Sequence, residues 1–265
     1  MLLEATGISK HFDGVAAVDH ATLTVEQGTI TALIGPNGAG KTTVFNMLSG
    51  FLKVDSGQII FDGQRVDGRR PHAIVRTGLV RTFQAPRILT RMSVLENVML
   101  AAPDQPGEHL MPAILRKRSA IDRERKVEQT AREVLDLVHL DHLAGDYAGT
   151  LSGGQRKLLE FGRALMTSPK LLLLDEPMAG VAPNLAIQLL ERVQDIRERG
   201  GVTIFIIEHD MEVVMGLSDR VIVMDEGKVV ADGPPATIQN NQRVIEAYLG
   251  RIAMGPESDG PQDFM

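Results

Sequence analysis

Cysteine is absent from the 265 residues. That excludes a disulfide framework, a thiolate metal site and a cysteine nucleophile, and it allows a reducing compartment. Long apolar runs are absent too. The most apolar stretches, Leu171 to Leu174 and Thr203 to Ile207, fall far short of the roughly 18 to 20 residues that a membrane helix needs. Any membrane role therefore calls for a partner. Met1-Leu2-Leu3 meets Glu4 before a signal-length run forms, so no signal peptide is expected. Basic charge is not in excess: 28 Lys and Arg stand against 34 Asp and Glu, a net charge of -6, which offers nucleic acid no bulk attraction. No internal repeat is found. What is present is ordinary globular composition, 43% hydrophobic and 23% charged, over a length suited to one large domain.

Ile30 to Ile34, Leu171 to Leu174, Thr203 to Ile207 and Val221 to Met224 are apolar at successive rather than alternate positions. Such runs predict strands buried on both faces, as in a parallel sheet. Helical stripes lie between them. Leu185, Leu189, Leu190, Val193 and Ile196 step by three and four before Gly200-Gly201, the pattern of a crossover helix with its stop. Val127, Ala131, Val134, Leu135 and Val138 make a second stripe, within a helical insertion read over about 86–154. Leu23 to Val25 and Gly57 to Phe61 predict antiparallel edge strands, and Val221 to Ala231 a hairpin turning on Asp225-Glu226-Gly227. One domain over 1–250 is expected, with a disordered tail over 251–265.

Gly35-Pro36-Asn37-Gly38-Ala39-Gly40-Lys41-Thr42 fits G-x-x-x-x-G-K-[ST] between an apolar strand and a helix that includes Thr43. Phosphate concentrates negative charge, so a loop of small residues must bring successive backbone N–H groups close, with a helix N-terminus adding its partial positive charge. Lys41 is placed to reach the β and γ phosphates and the Thr42 hydroxyl to ligate Mg²⁺. Asp175-Glu176 closes the run from Leu171, where open α/β sheets hold ligands. Asp175 suits Mg²⁺, and Glu176 suits orienting or deprotonating an attacking water. Leu151-Ser152-Gly153-Gly154-Gln155 precedes a further helical run and forms a second anion cradle of hydroxyl, N–H groups and helix dipole. Whether it closes on the same nucleotide or on another molecule's is open at this level.

In this order, these segments resemble the ATP-binding cassette family, the nucleotide-binding subunits of ABC transporters, over residues 1 to about 250. The resemblance implies a P-loop NTPase α/β core with a mostly parallel sheet, an N-terminal antiparallel β subdomain and an inserted helical subdomain. It identifies Gly35 to Thr42 as Walker A, Gln84 as the Q-loop, Leu151 to Gln155 as the LSGGQ motif, Leu171 to Glu176 as Walker B and His209 as the switch histidine. It implies two cassettes around two Mg-ATP, with Ser152, Gly153, Gly154 and Gln155 completing the opposite subunit's site. Gln84 then senses Mg²⁺ or water and passes motion to membrane subunits, His209 bonds the γ-phosphate or its attacking water, and Phe12 stacks on adenine. One departure stands out: Ala182 replaces the Asp with which that family usually contacts the other subunit.

Gly78 to Gln84, Glu176 to Gly180, Ile207 to Met211, Val214 to Arg220 and Ala247 to Gly250 are further similar to the ATP-binding subunits of bacterial branched-chain amino-acid importers. That subfamily also serves urea, short amides and aromatic acids. The implied partners are transmembrane permeases, a second cassette of the same or another kind and, indirectly, an external solute-binding protein, with the chain peripheral on the cytoplasmic face. Nucleic acid is not among the expected partners. The alternatives are a non-transport cassette acting as a nucleotide switch in DNA maintenance or translation, and a small-molecule kinase. The first expects a long coiled coil or two cassettes, whereas only about 110 residues separate single copies of the two motifs; the second leaves Leu151 to Gln155 unexplained. Arg116-Lys117-Arg118 with Arg123, Arg125 and Lys126 reads as a solvated basic face, with a surface near anionic lipid headgroups or a permease as the alternative, and His139 with His142 as a structural or solvated pair, since no further His and no Cys completes a metal set.

Overall fold

The computed structural model describes residues 1–82, 88–103, 117–181 and 183–245. In chain order the elements are β1 (Leu3–Phe12), β2 (Val15–Val25), β3 (Ile30–Ile34), α1 (Lys41–Leu48), β4 (Ser56–Phe61), β5 (Gln64–Arg65), α2 (Pro71–Val75), β6 (Leu79–Arg81), α3 (Val94–Met99), α4 (Lys117–Leu137), α5 (Gly153–Leu165), β7 (Leu171–Asp175), α6 (Pro183–Glu198), β8 (Thr203–Ile207), α7 (Met211–Leu217), β9 (Arg220–Asp225), β10 (Lys228–Gly233) and α8 (Pro235–Gln239).

The strands form two sheets. One has the order β10-β9-β3-β8-β7-β6, parallel except for β10. The other is antiparallel with the order β2-β1-β4-β5. The mixed α/β architecture and mostly parallel sheet agree with the sequence expectation. The strand at 56–61 is not at an edge, however: β4 lies between β1 and a two-residue β5. The hairpin turns through Glu226 and Gly227, both at positive φ (44° and 79°), which matches the right-handed twist of its strands.

The parallel strands are apolar throughout because cores lie on both sides of them. Ile30, Ala32 and Ile34 of β3 pack with Leu172, Leu174, Ile204 and Ile206 against a helical layer that supplies Leu135, Leu159, Leu189 and Val193. Leu33, Leu171, Leu173, Phe205 and Ile207 face the other way, onto α1 and the antiparallel sheet, where Phe45, Leu3, Ile8 and Phe61 are fully buried. The Phe45 and Phe205 rings meet at 5.0 Å between centroids. The sheet register sets the site: Leu33 and Asp175 both pair with Ile207, from opposite sides. The carboxyl ends of β3 and β7 are therefore level and two strand spacings apart, roughly 10 Å. Glu208 and His209 leave the sheet between them.

Candidate functional site

Backbone geometry makes the loop after β3. Gly35 is at φ +148° and Gly40 at φ +97°. A Cβ on Gly35 would drive into the Met224 carbonyl oxygen, and one on Gly40 into that of Ala17. Both positions therefore accept only glycine, and the loop passes close beneath the neighbouring strands. Gly40 is the N-cap of α1, whose first turn leaves N–H groups without intrahelical acceptors. The Lys41 ammonium lies across this loop, donating to the carbonyls of Gly35 at 2.7 Å and Pro36 at 2.9 Å. Asn37, Gly38 and the Thr42 side chain are exposed beside it.

Phe12, Ala17, the continuous segment from Asn37 to Thr43, and Glu176 line one cleft of about 470 Å³. An N–H-rich loop, a cation, a hydroxyl, a carboxylate and an exposed ring in one cleft fit a nucleoside polyphosphate. Phe12 ends β1 with 48% of its surface exposed, and Lys10 Nζ lies 5.8 Å from its ring centroid.

The other expected site residues are placed differently. Asp175 is at the end of β7 but faces Arg81: Nη2 donates to Asp175 Oδ2 at 2.6 Å, with side chains only 9% and 11% exposed. Arg81 Nη1 reaches Asn46 of α1 at 2.7 Å and Ser49 at 3.3 Å, and the guanidinium lies 5.9 Å from the Phe45 ring. His209 has a 63% exposed side chain, with Nδ1 3.8 Å from Glu208 Oε2. Ser152 is the N-cap of α5 and forms a capping box: its hydroxyl accepts the Gln155 N–H at 3.3 Å, and Gln155 Oε1 accepts the Ser152 N–H at 2.9 Å. None of Ser152 to Gln155 lines the cleft. Gln84 and Ala182 lie outside the described residues, as do Arg116 and the tail. His139 Nε2 stands 2.8 Å from Arg192, and among the described residues no group of three candidate ligands could hold a metal.

Sequence reasoning missed Arg81, Lys157 and Glu208. Lys157 Nζ donates to the carbonyls of Pro177 and Ala179, each at 2.7 Å. Glu208 is 1% exposed and accepts the Met178 N–H at 3.1 Å. Burial pushes the Glu208 carboxyl above the usual carboxylate range, against the N–H groups of Met178 and His209 that favour its charged form. Burial draws the Lys157 ammonium down, opposed by the charge of Glu208. One signal was available: Glu208 follows an unbroken apolar strand, just as Asp175 does.

Removing the Arg81 partner strands a buried carboxylate. Arg81→Met is therefore expected to destabilise the fold by about 3 to 5 kcal/mol in urea denaturation. The double variant with Asp175→Asn should recover part of that loss. Equal stability of the single variant and the native chain would show that the ion pair contributes nothing.

A phosphate loop after a central parallel strand, an acidic strand end two positions along the sheet and an antiparallel sheet over the other face together define an ATP-binding cassette. The family model for the ABC transporter matches residues 18–179, and that for the branched-chain amino acid ATP-binding cassette transporter matches 228–253. The chain belongs to the ABC transporter family and is an ATP-hydrolysing transport ATPase subunit. It is 42% identical over 249 residues to the probable branched-chain amino acid transport ATP-binding protein LivG of Archaeoglobus fulgidus, covering 94% of this chain and 95% of that one. It is 40% identical to the high-affinity branched-chain amino acid transport ATP-binding protein BraF of Pseudomonas aeruginosa, covering 94% and 98%. Among solved structures, the ADP conformation of an ATP-binding cassette of an ABC transporter superposes with a TM-score of 0.80 at 38% identity, covering 94% of this chain and 98% of that one. A nucleotide-free cassette gives 0.78 at 37%, covering 93% and 98%.

Proposed function

We propose that this chain powers an importer of branched-chain amino acids or related small solutes, peripheral on the cytoplasmic face of the membrane and docked on permease subunits. Two cassettes, identical or different, close on two Mg-ATP, and an external solute-binding protein delivers the cargo to the permeases. The observation that carries this reading is the cleft in which the phosphate loop, Phe12 and Glu176 meet. The match of residues 228–253 and the names of the relatives support the cargo class. No helix among the described residues is long and apolar enough to cross a membrane.

In the cleft, the N–H groups of Gly38 to Thr43 hold the β and γ phosphates and Lys41 adds its charge between them. Phe12 stacks on the base, a contact of about 1 to 3 kcal/mol. Mg²⁺ neutralises phosphate oxygens when bound, and Thr42, Asp175 and Gln84 are the residues assigned to hold it. Glu176 takes the proton of the attacking water, His209 orients that water or the γ-phosphate, and Ser152 to Gln155 of the opposite cassette complete the enclosure. Arg81 engages Asp175 through Oδ2, so Asp175 would meet the ion through its other oxygen, directly or through a water. The helical insertion, entered through Gln84, carries the movement to the permeases.

The test is co-purification with the permeases followed by ATP turnover in the presence of candidate solutes. Stimulation by leucine, isoleucine or valine delivered through the binding protein is expected; stimulation by urea or a short amide alone would move the cargo to that class. An assembled complex without Mg²⁺-dependent ATP affinity would overturn the reading.

A further inference from the structure

Glu176 has a backbone φ of +47°, the left-handed region that a residue with a side chain disfavours by about tenfold. Such a conformation persists only where its surroundings hold it. Its N–H donates to the Ile207 carbonyl at 3.0 Å and its carbonyl accepts the Ala179 N–H at 3.1 Å. The three residues that follow are fixed group by group. Lys157 takes the Pro177 and Ala179 carbonyls at 2.7 Å each. Glu208 takes the Met178 N–H at 3.1 Å, and the Met178 carbonyl accepts from Val181 N–H at 3.1 Å. Pro177 has no N–H to place. Every backbone donor and acceptor from Pro177 to Ala179 is thus engaged, and the two long-range holds are side chains from other elements.

We propose that Lys157 and Glu208 are positioning residues that clamp the backbone of Pro177 to Ala179 and so keep Glu176 in its left-handed conformation, with its carboxylate aimed into the nucleotide cleft. The proposal rests on the ATPase reading of Glu176. Lys157 lies on α5, two residues beyond Gln155, and Glu208 immediately precedes His209. The clamp therefore ties the helix behind the Ser152 cradle and the loop bearing His209 to the residue that activates water, within one subunit.

The test uses the full-length chain with Mg-ATP and the variants Lys157→Met, Lys157→Arg, Glu208→Ala and Glu208→Gln. Arg keeps donors for the carbonyls and Gln keeps an acceptor for Met178, whereas Met and Ala remove them. For Lys157→Met and Glu208→Ala, kcat should fall by about tenfold while KM for ATP stays within about twofold, and the Arg and Gln variants should recover most of the loss. Amide exchange at Met178 should be slow in the native chain and at least about tenfold faster in Glu208→Ala. Native kcat in the Met and Ala variants, a change in KM alone, or no recovery with Arg and Gln would overturn the proposal. Fast exchange at Met178 in the native chain would overturn it even if a variant failed to fold. An inactive native chain that binds no ATP would instead defeat the ATPase reading, leaving the exchange measurement to judge the clamp.

Discussion

Glu176→Gln is expected to lower ATP turnover by on the order of a hundredfold or more and to leave ATP binding in place. Glu176 lines the cleft formed by the phosphate loop, the placement that a base for an attacking water needs. Glutamine preserves size, hydrogen-bonding reach and the backbone bonds to Ile207 and Ala179, because those are made by main-chain atoms. What it loses is the ability to accept a proton at neutral pH. Phosphate release measures the chemistry, and fluorescence of a bound ATP analogue measures the binding. Undiminished phosphate release would take the base role away from Glu176, whatever the geometry suggests.

Ser152→Arg is expected to abolish ATP-driven pairing of cassettes while each subunit still binds nucleotide. Ser152 is exposed and lies outside its own subunit's cleft, which is the placement required of a group that serves another subunit's nucleotide. Arginine would project a long cation into that contact. It would also remove the hydroxyl that caps Gln155 N–H, at about 1 kcal/mol. Ser152→Ala is the matched control, since it loses the cap without adding bulk. In a Glu176→Gln background, which retains bound ATP, light scattering should find dimers for the native Ser152 and for Ser152→Ala, and monomers for Ser152→Arg. A dimer with Arg at 152 would rule out closure through this segment.

Much of the fold was legible because its signals are local. Ile30 to Ile34 and Thr203 to Ile207 read as doubly buried strands, and they are strands with every residue buried. The stripe from Val127 to Val138 read as helix, and α4 runs through most of it with Ala131 and Leu135 fully buried. β1 was not legible. Its residues alternate irregularly between buried and exposed, because register shifts along both of its pairings break the period. For the same reason β2 was read only at its last three residues, and β4 was placed at an edge because the strand beyond it, β5, has only two residues.

The candidate site divides in a similar way. The glycine-rich loop with Lys41 and Thr42, and the carboxylates at 175 and 176, were visible because each is one short segment whose composition reflects the chemistry it performs. The Ser152 helix start was visible too, and its capping box is contiguous. Phe12 stood out only through the resemblance. Arg81, Lys157 and Glu208 carry no local sign of their partners. Arg81 meets Asp175 across 94 positions and Met178 meets Glu208 across 30. Both pairs form only because parallel strands far apart in the chain are neighbours in the sheet.

The chain's linear order thus determined the class of site: turns that only glycine can make, a lysine and a threonine at a helix start, and acids at the end of an apolar run. These are properties of a few adjacent residues and are carried by backbone sterics and side-chain chemistry alone. Folding decided how the pieces meet. The sheet order and register bring Phe12, the phosphate loop and Glu176 to one cleft, turn Asp175 toward Arg81, and bury Glu208 beneath the residues that follow Glu176. Those outcomes depend on which strands pair and on which charges the interior can tolerate only with a partner, and such contacts arise only when distant segments are brought together out of water.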